Sequence, residues 1–433
     1  MSEQREQLPL LLRLYRKATS VLEPLLPLFL WVRRLKGLED PERSGERRGL
    51  PSLHRPPGVM VWVHGASVGE LLSVIPLVER LTQRGVGVLV TSGTRTSADL
   101  IRGRLPAGAF HQYIPLDAPT YVRRFLRHWK PSLALFAESE LWPNFIFALK
   151  RADIPLALIN ARMSDRSFER WSRRLPLIGA LLGRIPLVLA QSAEDTRRFT
   201  ALGAPVVQTV GNIKHDCDAP TADERLVAQY SGIIAGRPVW IVSSTHPGED
   251  EVFIETHRRL REHYPALLTI IAPRHPRRGG DIGQMALGAG IPAALRSAGR
   301  LPDRTIGIYV ADTLGELGLF YRLAPLVFMA GSIVPVGGHN PIEAVKLGAA
   351  VLHGPHVHNF RDIYAALDAR NGAVPVADSE ALQAAVDNCL ANPDRARAVA
   401  RAGHEVVSEM GGAVNATLRV IDPFLAALKL EGH

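Results

Sequence analysis

The sequence predicts an α/β protein built from two Rossmann-like domains that face each other across a cleft. Three observations carry this. The chain has 433 residues, a length that suits two domains at roughly 100–200 residues each. Short β-branched apolar runs alternate with amphipathic helical stretches in two successive blocks, the writing of parallel sheets covered on both faces. Polar, glycine-containing motifs follow the strand runs in both blocks. The C-terminal ends of parallel strands are where open α/β sheets bind ligands.

Composition narrows the class. With 46% hydrophobic and 21% charged residues the chain can bury real cores. Its two cysteines, Cys217 and Cys389, cannot build a disulfide framework and neither stands in a zinc-ligand spacing, which suits a reducing compartment. The formal charge of +9 asks for an anionic partner: nucleic acid, a phosphorylated substrate or anionic lipid. Basic residues are spread along the chain and no nucleic-acid-binding motif occurs, so nucleic acid ranks last.

Residues 1–50 read as a membrane-associating segment. Val21 to Val32 is mostly apolar, with Leu22, Leu25, Leu26, Phe29 and Leu30 on one helical face. Arg13, Arg16 and Lys17 flank it on one side, and Arg33, Arg34 and Lys36 on the other. Glu23, Pro24 and Pro27 keep the apolar run well short of the ~18 residues a spanning helix needs. Such a segment suits the membrane interface; a helix packed on the first domain is the other reading.

Residues 51–212 form the first domain. Strands are expected at 59–63, 86–92, 132–137, 154–160 and 186–190, and helices at 71–83, 94–104, 119–129, 141–152 and 194–202. The first strand breaks into His64-Gly65-Ala66-Ser67-Val68-Gly69-Glu70, which places a carboxylate at a strand-to-helix turn. Glu70 is either a site residue or a first-turn Glu that complements the helix dipole. A second acidic motif, Glu138-Ser139-Glu140-Leu141-Trp142-Pro143-Asn144, follows the strand at 132–137.

Residues 213–237 read as an interdomain linker. They include Lys214, either a cation of the site or a surface lysine. Residues 238–433 form the second domain, with strands at 239–246, 267–272, 307–310, 325–330 and 349–353 and a helical tail. Arg274, His275, Arg277 and Arg278 concentrate charge after the second of these strands, as a phosphate site or a solvated cluster. The turn Thr313–Leu317 would place the Gly315 N–H near the same ligand. In Gly337-Gly338-His339-Asn340-Pro341-Ile342-Glu343, glycines precede a helix with Pro341 in its first turn. Its N–H groups could meet a phosphate and its Glu a ribose; a structural turn is the alternative. His353, His356 and His358 lack a carboxylate partner and fall in a Gly-Pro turn, so a metal is not expected there.

Taken in order, these motifs, with Asn160-Ala161-Arg162, Ser244-Thr245-His246 and Pro273-Arg274-His275-Pro276, resemble the Kdo (3-deoxy-D-manno-octulosonic acid) transferases of lipopolysaccharide biosynthesis. The likeness covers nearly the whole chain. It implies the GT-B glycosyltransferase fold, an inverting reaction, CMP-Kdo as donor and the lipid A precursor (lipid IVA) as acceptor. It also implies an acceptor domain over 51–212 and a donor domain over 238–433. Glu70 matches the general base; Glu138 and Lys214 match positions that stabilise the transition state. Pro273, Arg274, His275, Gly315, Glu316, Leu317, Asn340, Pro341, Ile342 and Glu343 match the CMP-binding segments. No metal or other cofactor is expected, and the implied location is the cytoplasmic face of the bacterial inner membrane, against anionic lipid. The alternatives are another GT-B transferase or a nucleotide-sugar epimerase with a different donor, or a non-catalytic adaptor on the same fold.

Overall fold

A computed structural model describes residues 8–216 and 219–431. Cys217 lies outside the described residues. The chain divides into two compact units: residues up to Asp216 together with those from Gly411 onward, and Cys217–Met410.

The first unit holds β1 (Met60–His64), β2 (Gly87–Ser92), β3 (Ala109–Tyr113), β4 (Leu133–Ala137), β5 (Leu156–Ala161), β6 (Leu187–Ala190) and β7 (Val207–Thr209). They form one parallel sheet in the order β3-β2-β1-β4-β5-β6-β7. Successive strand residues point to opposite faces. Trp62 therefore packs with Phe125, Phe136 and Phe145 on one face, and Val61 and Val63 pack with Leu71 and Val74 on the other. The chain reverses its direction of travel across the sheet at β1/β4, so the loops after these two strands flank a crevice.

The second unit holds β8 (Val239–Thr245), β9 (Leu268–Pro273), β10 (Ala293–Leu295), β11 (Ile308–Val310), β12 (Leu326–Met329), β13 (Ala350–His353) and β14 (Ala373–Pro375). Its parallel sheet runs β10-β11-β9-β8-β12-β13-β14, with the reversal at β8/β12. Four strands fall outside the expected set: β3, β7, β10 and β14. They are the edges of the two sheets. Three of them are only three residues long, and β3 carries His111 and Gln112, so none presents an apolar run.

Three expected boundaries are corrected by the packing. The linker reading of 213–237 fails at both ends. The turn Ile213–Asp216 packs in the first unit through Ile213, and the helix Glu224–Ile234 inserts Tyr230 and Ile234 into the second unit's core. The assignment of all of 238–433 to one domain fails beyond Met410. The helix Ala413–Glu431 returns to the first unit, where Ala413, Val414, Leu418, Ile421 and Leu425 join its core and Asp216 accepts the Gly412 and Val414 N–H groups. The segment 1–50 is not of one kind. Glu39, Glu46 and Arg47 are buried, and Glu46 accepts the Tyr113 N–H at 2.7 Å, so the stretch from Glu39 onward belongs to the domain body.

Before it lie two helices, Leu10–Leu22 and Leu26–Leu35, joined by a 3-10 turn at Glu23–Leu25 where Pro24 and Pro27 break the helical run. Leu12 and Leu30 face inward. Tyr15 donates to Asp117 at 2.8 Å, and Glu23 accepts the Thr120 N–H at 3.1 Å. Leu22, Leu25 and Phe29, expected on one face with Leu30, point outward with Leu28 and Trp31. Among the described residues no helix is long and apolar enough to cross a membrane.

Candidate active site

Within the first unit, the loops after β1 and β4 bring together a small set of charged groups. Ser67 caps the helix Val68–Gln83 by accepting the Glu70 N–H at 3.2 Å. The Glu70 carboxylate turns back over the same loop: Oε1 accepts from the Ser67 hydroxyl at 2.7 Å and Oε2 from the Ala66 N–H at 2.9 Å. It ties down the loop ahead of its own helix, and each of its oxygens keeps a further lone pair to offer. The side chain is buried, and burial raises its pKa above the usual carboxylate range, with the nearby Glu138 charge adding to the rise. Ser67 and Ala66 oppose that rise but do not cancel it.

Glu138, directly after β4, has left-handed backbone (φ 55°), which is uncommon for a side chain of its size. Its carboxylate accepts from Lys214 Nζ at 2.7 Å. Lys214 is held in turn: Asn160, at the end of β5 and also left-handed, accepts the Ile213 N–H at 3.0 Å, and Asn212 accepts the Lys214 N–H at 3.0 Å. Lys214 thus meets Glu138, although the two are 76 residues apart. Asn144, the end of the second acidic motif, serves the scaffold. It is buried, its N–H and that of Phe145 both donate to Asp117 at 3.1 Å, and its amide reaches the Asp117 carbonyl.

In the second unit, Pro273 ends β9 and is buried, while Arg274 and His275 are exposed. The arginine cluster divides. Arg278 is bound to the Thr245 carbonyl at 2.8 Å and to Asp250, which leaves Arg274 and Arg277 facing outward. Gly315 is exposed with φ 81°. Glu316 is committed: Arg296 donates to both its oxygens, at 3.0 and 2.7 Å, and Thr313 adds a hydroxyl. Burial alone would raise the Glu316 carboxyl, but these donors hold it below its ordinary value.

The expected glycine–helix phosphate cradle is built differently. The Gly337 and Gly338 N–H groups both donate to the Gly331 carbonyl, at 3.1 and 2.8 Å. The helix is only Ile342–Lys346, with Pro341 before its first turn rather than in it. Asn340 caps it by accepting the Ile342 N–H at 3.1 Å, Ile342 is core, and Glu343 is half-buried. His339 lies 2.9 Å from His246 between ring nitrogens; burial pushes the His339 pKa down to about 4 and lowers that of His246 as well. His353 turns inward onto Asp368 at 3.0 Å.

One site residue escaped the sequence reading. Glu249 is fully buried and accepts three backbone N–H groups: His246 at 3.0 Å, Gly331 at 2.8 Å and Ile333 at 3.1 Å. It ties the loop after β8 to the loop after β12 at the reversal of the sheet. Its signal was the parallel with Glu70, since each Glu follows a strand-end histidine and folds back on its own loop's backbone.

Residues 42–217 match the family profile described as 3-deoxy-D-manno-octulosonic-acid transferase (kdotransferase). Over 415 residues, 93% of each chain, the sequence is 38% identical to a probable mitochondrial 3-deoxy-D-manno-octulosonic acid transferase of Arabidopsis thaliana. It is 32% identical to the 3-deoxy-D-manno-octulosonic acid transferase of Haemophilus influenzae, covering 95% of this chain and 98% of that one. A glycosyltransferase structure from Rickettsia africae shares the fold, with a TM-score of 0.57 at 13% identity over 86% of this chain and 99% of that one.

Proposed function

The chain belongs to the 3-deoxy-D-manno-octulosonic-acid (Kdo) transferase family of glycosyltransferases, and on that premise we propose that it moves Kdo from CMP-Kdo onto lipid IVA with inversion, Glu70 acting as general base. The observation that carries this reading is the Glu70 carboxylate: buried, oriented by Ser67 and Ala66, and raised in basicity. Inverting transfer needs one base to take the acceptor hydroxyl's proton as that oxygen attacks the anomeric carbon. The anomeric carbon gains positive character as the CMP phosphate leaves, and the Glu138 carboxylate can answer it. Lys214 supplies a cation for the negative charge that develops.

The second unit supplies the donor site. Arg274, exposed after β9, and the N–H groups around Gly315 and Leu317 are groups a nucleotide phosphate can use. The loops that Glu249 joins form the rest of this surface. With cations of the chain opposing the leaving phosphate, transfer needs no metal. The test is incubation with CMP-Kdo and lipid IVA in the presence of EDTA, followed by mass analysis. A product heavier by Kdo is expected; an unchanged acceptor, or transfer only from another nucleotide sugar, overturns the reading.

The acceptor's lipid nature supports a place at the cytoplasmic face of a bacterial inner membrane. The outward Leu22, Leu25, Leu28, Phe29 and Trp31 form an apolar surface on the first unit, and each large side chain buried in lipid contributes about 1.5–3 kcal/mol. A cavity of about 700 Å³ on the same unit is lined by Arg16, Arg123, Arg127, Lys130 and Arg151 with no acidic residue on its wall, a charge that suits anionic lipid. Because Leu12 and Leu30 are core, deleting these helices would uncover the domain. The clean variant is Leu22→Ser with Leu25→Ser and Phe29→Ser. It is expected to leave vesicles of mixed neutral and anionic phospholipid while its melting temperature stays unchanged; undiminished co-sedimentation refutes the surface.

A further inference from the structure

Two helices of the first unit, Pro119–Trp129 and Pro143–Arg151, begin on a proline and have no side-chain cap from the residue before it. The first turn of a helix leaves its N–H groups without intrahelical partners. In Pro143–Arg151 the first residue has no N–H, and the Ile146 N–H already reaches the Trp142 carbonyl at 2.9 Å. The two groups that remain are the Asn144 and Phe145 N–H. Both go to Asp117, one to each carboxylate oxygen, at 3.1 Å. Asp117 is buried and forms no ion pair among the described residues. Its other donor is the Tyr15 hydroxyl of the helix Leu10–Leu22, at 2.8 Å. One turn along that helix, Thr19 Oγ1 accepts from the Asn144 side-chain amide at 3.1 Å. The N-terminal segment supplies the second missing cap as well, since Glu23 accepts the Thr120 N–H. A buried carboxylate without a cation is costly. Here the positive end of a helix meets its charge.

What Asp117 anchors is a loop of the site. Residues 138–142 are all that lies between β4 and the helix Pro143–Arg151. At the near end the Glu138 N–H donates to the Ile159 carbonyl at 3.0 Å, which ties it to the sheet. There the Glu138 backbone is left-handed, a conformation that a long side chain keeps only where its surroundings impose it. Asp117 fixes the far end. Lys214 bonds the Glu138 carboxylate and leaves the loop's backbone to these two anchors.

We propose that Asp117 is a positioning residue for the transfer, holding the Glu138 loop in place, and that Tyr15 acts through it, which makes the helix Leu10–Leu22 part of the scaffold of the site. This role rests on Glu138 answering the charge at the anomeric carbon. A group misplaced by about 1 Å at a reacting centre can cost about 10²-fold in rate. Donor binding should be untouched, because the groups proposed for it belong to the second unit.

The test is steady-state transfer from CMP-Kdo to lipid IVA in detergent micelles, where attachment to a membrane plays no part. It compares the wild type with Asp117→Asn, Tyr15→Phe, the double variant and Glu138→Gln. Asp117→Asn must turn an amide toward one of its donors, so kcat is expected to fall by about 10–100-fold while KM for CMP-Kdo stays within about twofold. Tyr15→Phe removes one hydroxyl and is expected to lower kcat by about fivefold, the equivalent of one ordinary hydrogen bond. The double variant is expected to be no slower than Asp117→Asn, because residues that act through one another are not additive. A merely structural role would lower the melting temperature and leave the kcat of the folded enzyme alone. Wild-type kcat in folded Asp117→Asn, wild-type kcat in Tyr15→Phe, or losses that multiply in the double variant each overturn the inference. Tyr15→Phe, the milder change, carries the test if Asp117→Asn does not fold. Glu138→Gln is expected to be slow with its CMP-Kdo KM likewise unchanged. Near-normal turnover there overturns the Glu138 role and the inference with it; a slow Glu138→Gln beside a normal Asp117→Asn overturns the inference alone.

Discussion

Glu70→Gln is expected to lower kcat by about 10²–10⁴-fold, the range a positioned general base contributes, while CMP affinity stays within about twofold. The separation follows from placement. Glu70 belongs to the first unit, and the groups proposed for the nucleotide belong to the second. The glutamine keeps the side chain's shape and one acceptor for the loop, so the helix cap at Ser67 survives and the loss reads on proton transfer. The raised Glu70 pKa sets the acid limb: the ionised base is lost as pH falls through it, so activity should decline at a higher pH than an ordinary glutamate would give. Single-turnover transfer and equilibrium CMP binding, measured on one preparation, check both halves. Near-normal turnover would remove Glu70 from the base role.

Glu249→Ala should destabilise the second unit by about 3 kcal/mol, because three buried N–H groups lose their acceptor at roughly 1 kcal/mol or more each. It should also weaken CMP binding by more than about tenfold, since the loops after β8 and β12 lose their common anchor. Chemical denaturation followed at Trp240, buried within β8, reads the first effect, and calorimetric CMP titration reads the second. Glu249→Gln separates the two. It keeps one good acceptor and part of the stability, yet must turn an amide N–H toward one of the backbone donors, so the loops still shift. Full affinity in both variants would show that the tie between the loops is unrelated to the donor.

The candidate site was legible in the sequence where its signals are local. A strand that breaks into Gly65-Ala66-Ser67 and ends on Glu70 announces a loop, a cap and a carboxylate within a dozen residues. What each charged group does there was not legible, because that depends on partners distant in sequence. The resemblance places Glu316 in a CMP-binding segment and the sequence puts Arg278 in a phosphate site or a solvated cluster, but Arg296 and Asp250 occupy them. Gly337 and Gly338 read as the lead-in to a phosphate-binding helix or as a structural turn, and their N–H groups go to Gly331. Glu249 carried no signal of its own; β12 brings Gly331 and Ile333 to it.

The sequence by itself determined the alternation of strand and helix, the two cores, and the gathering of polar motifs at strand ends. Apolar periodicity and glycine act over a few residues and need no tertiary partner. Tertiary structure alone decided the sheet edges, whose strands are too short to write a pattern. It also decided the return of Ala413–Glu431 to the first unit, where that helix's apolar face meets a core built almost entirely before residue 217. Above all, it decided which charged groups are already paired. Those outcomes depend on charges brought close through space, as Lys214 is to Glu138.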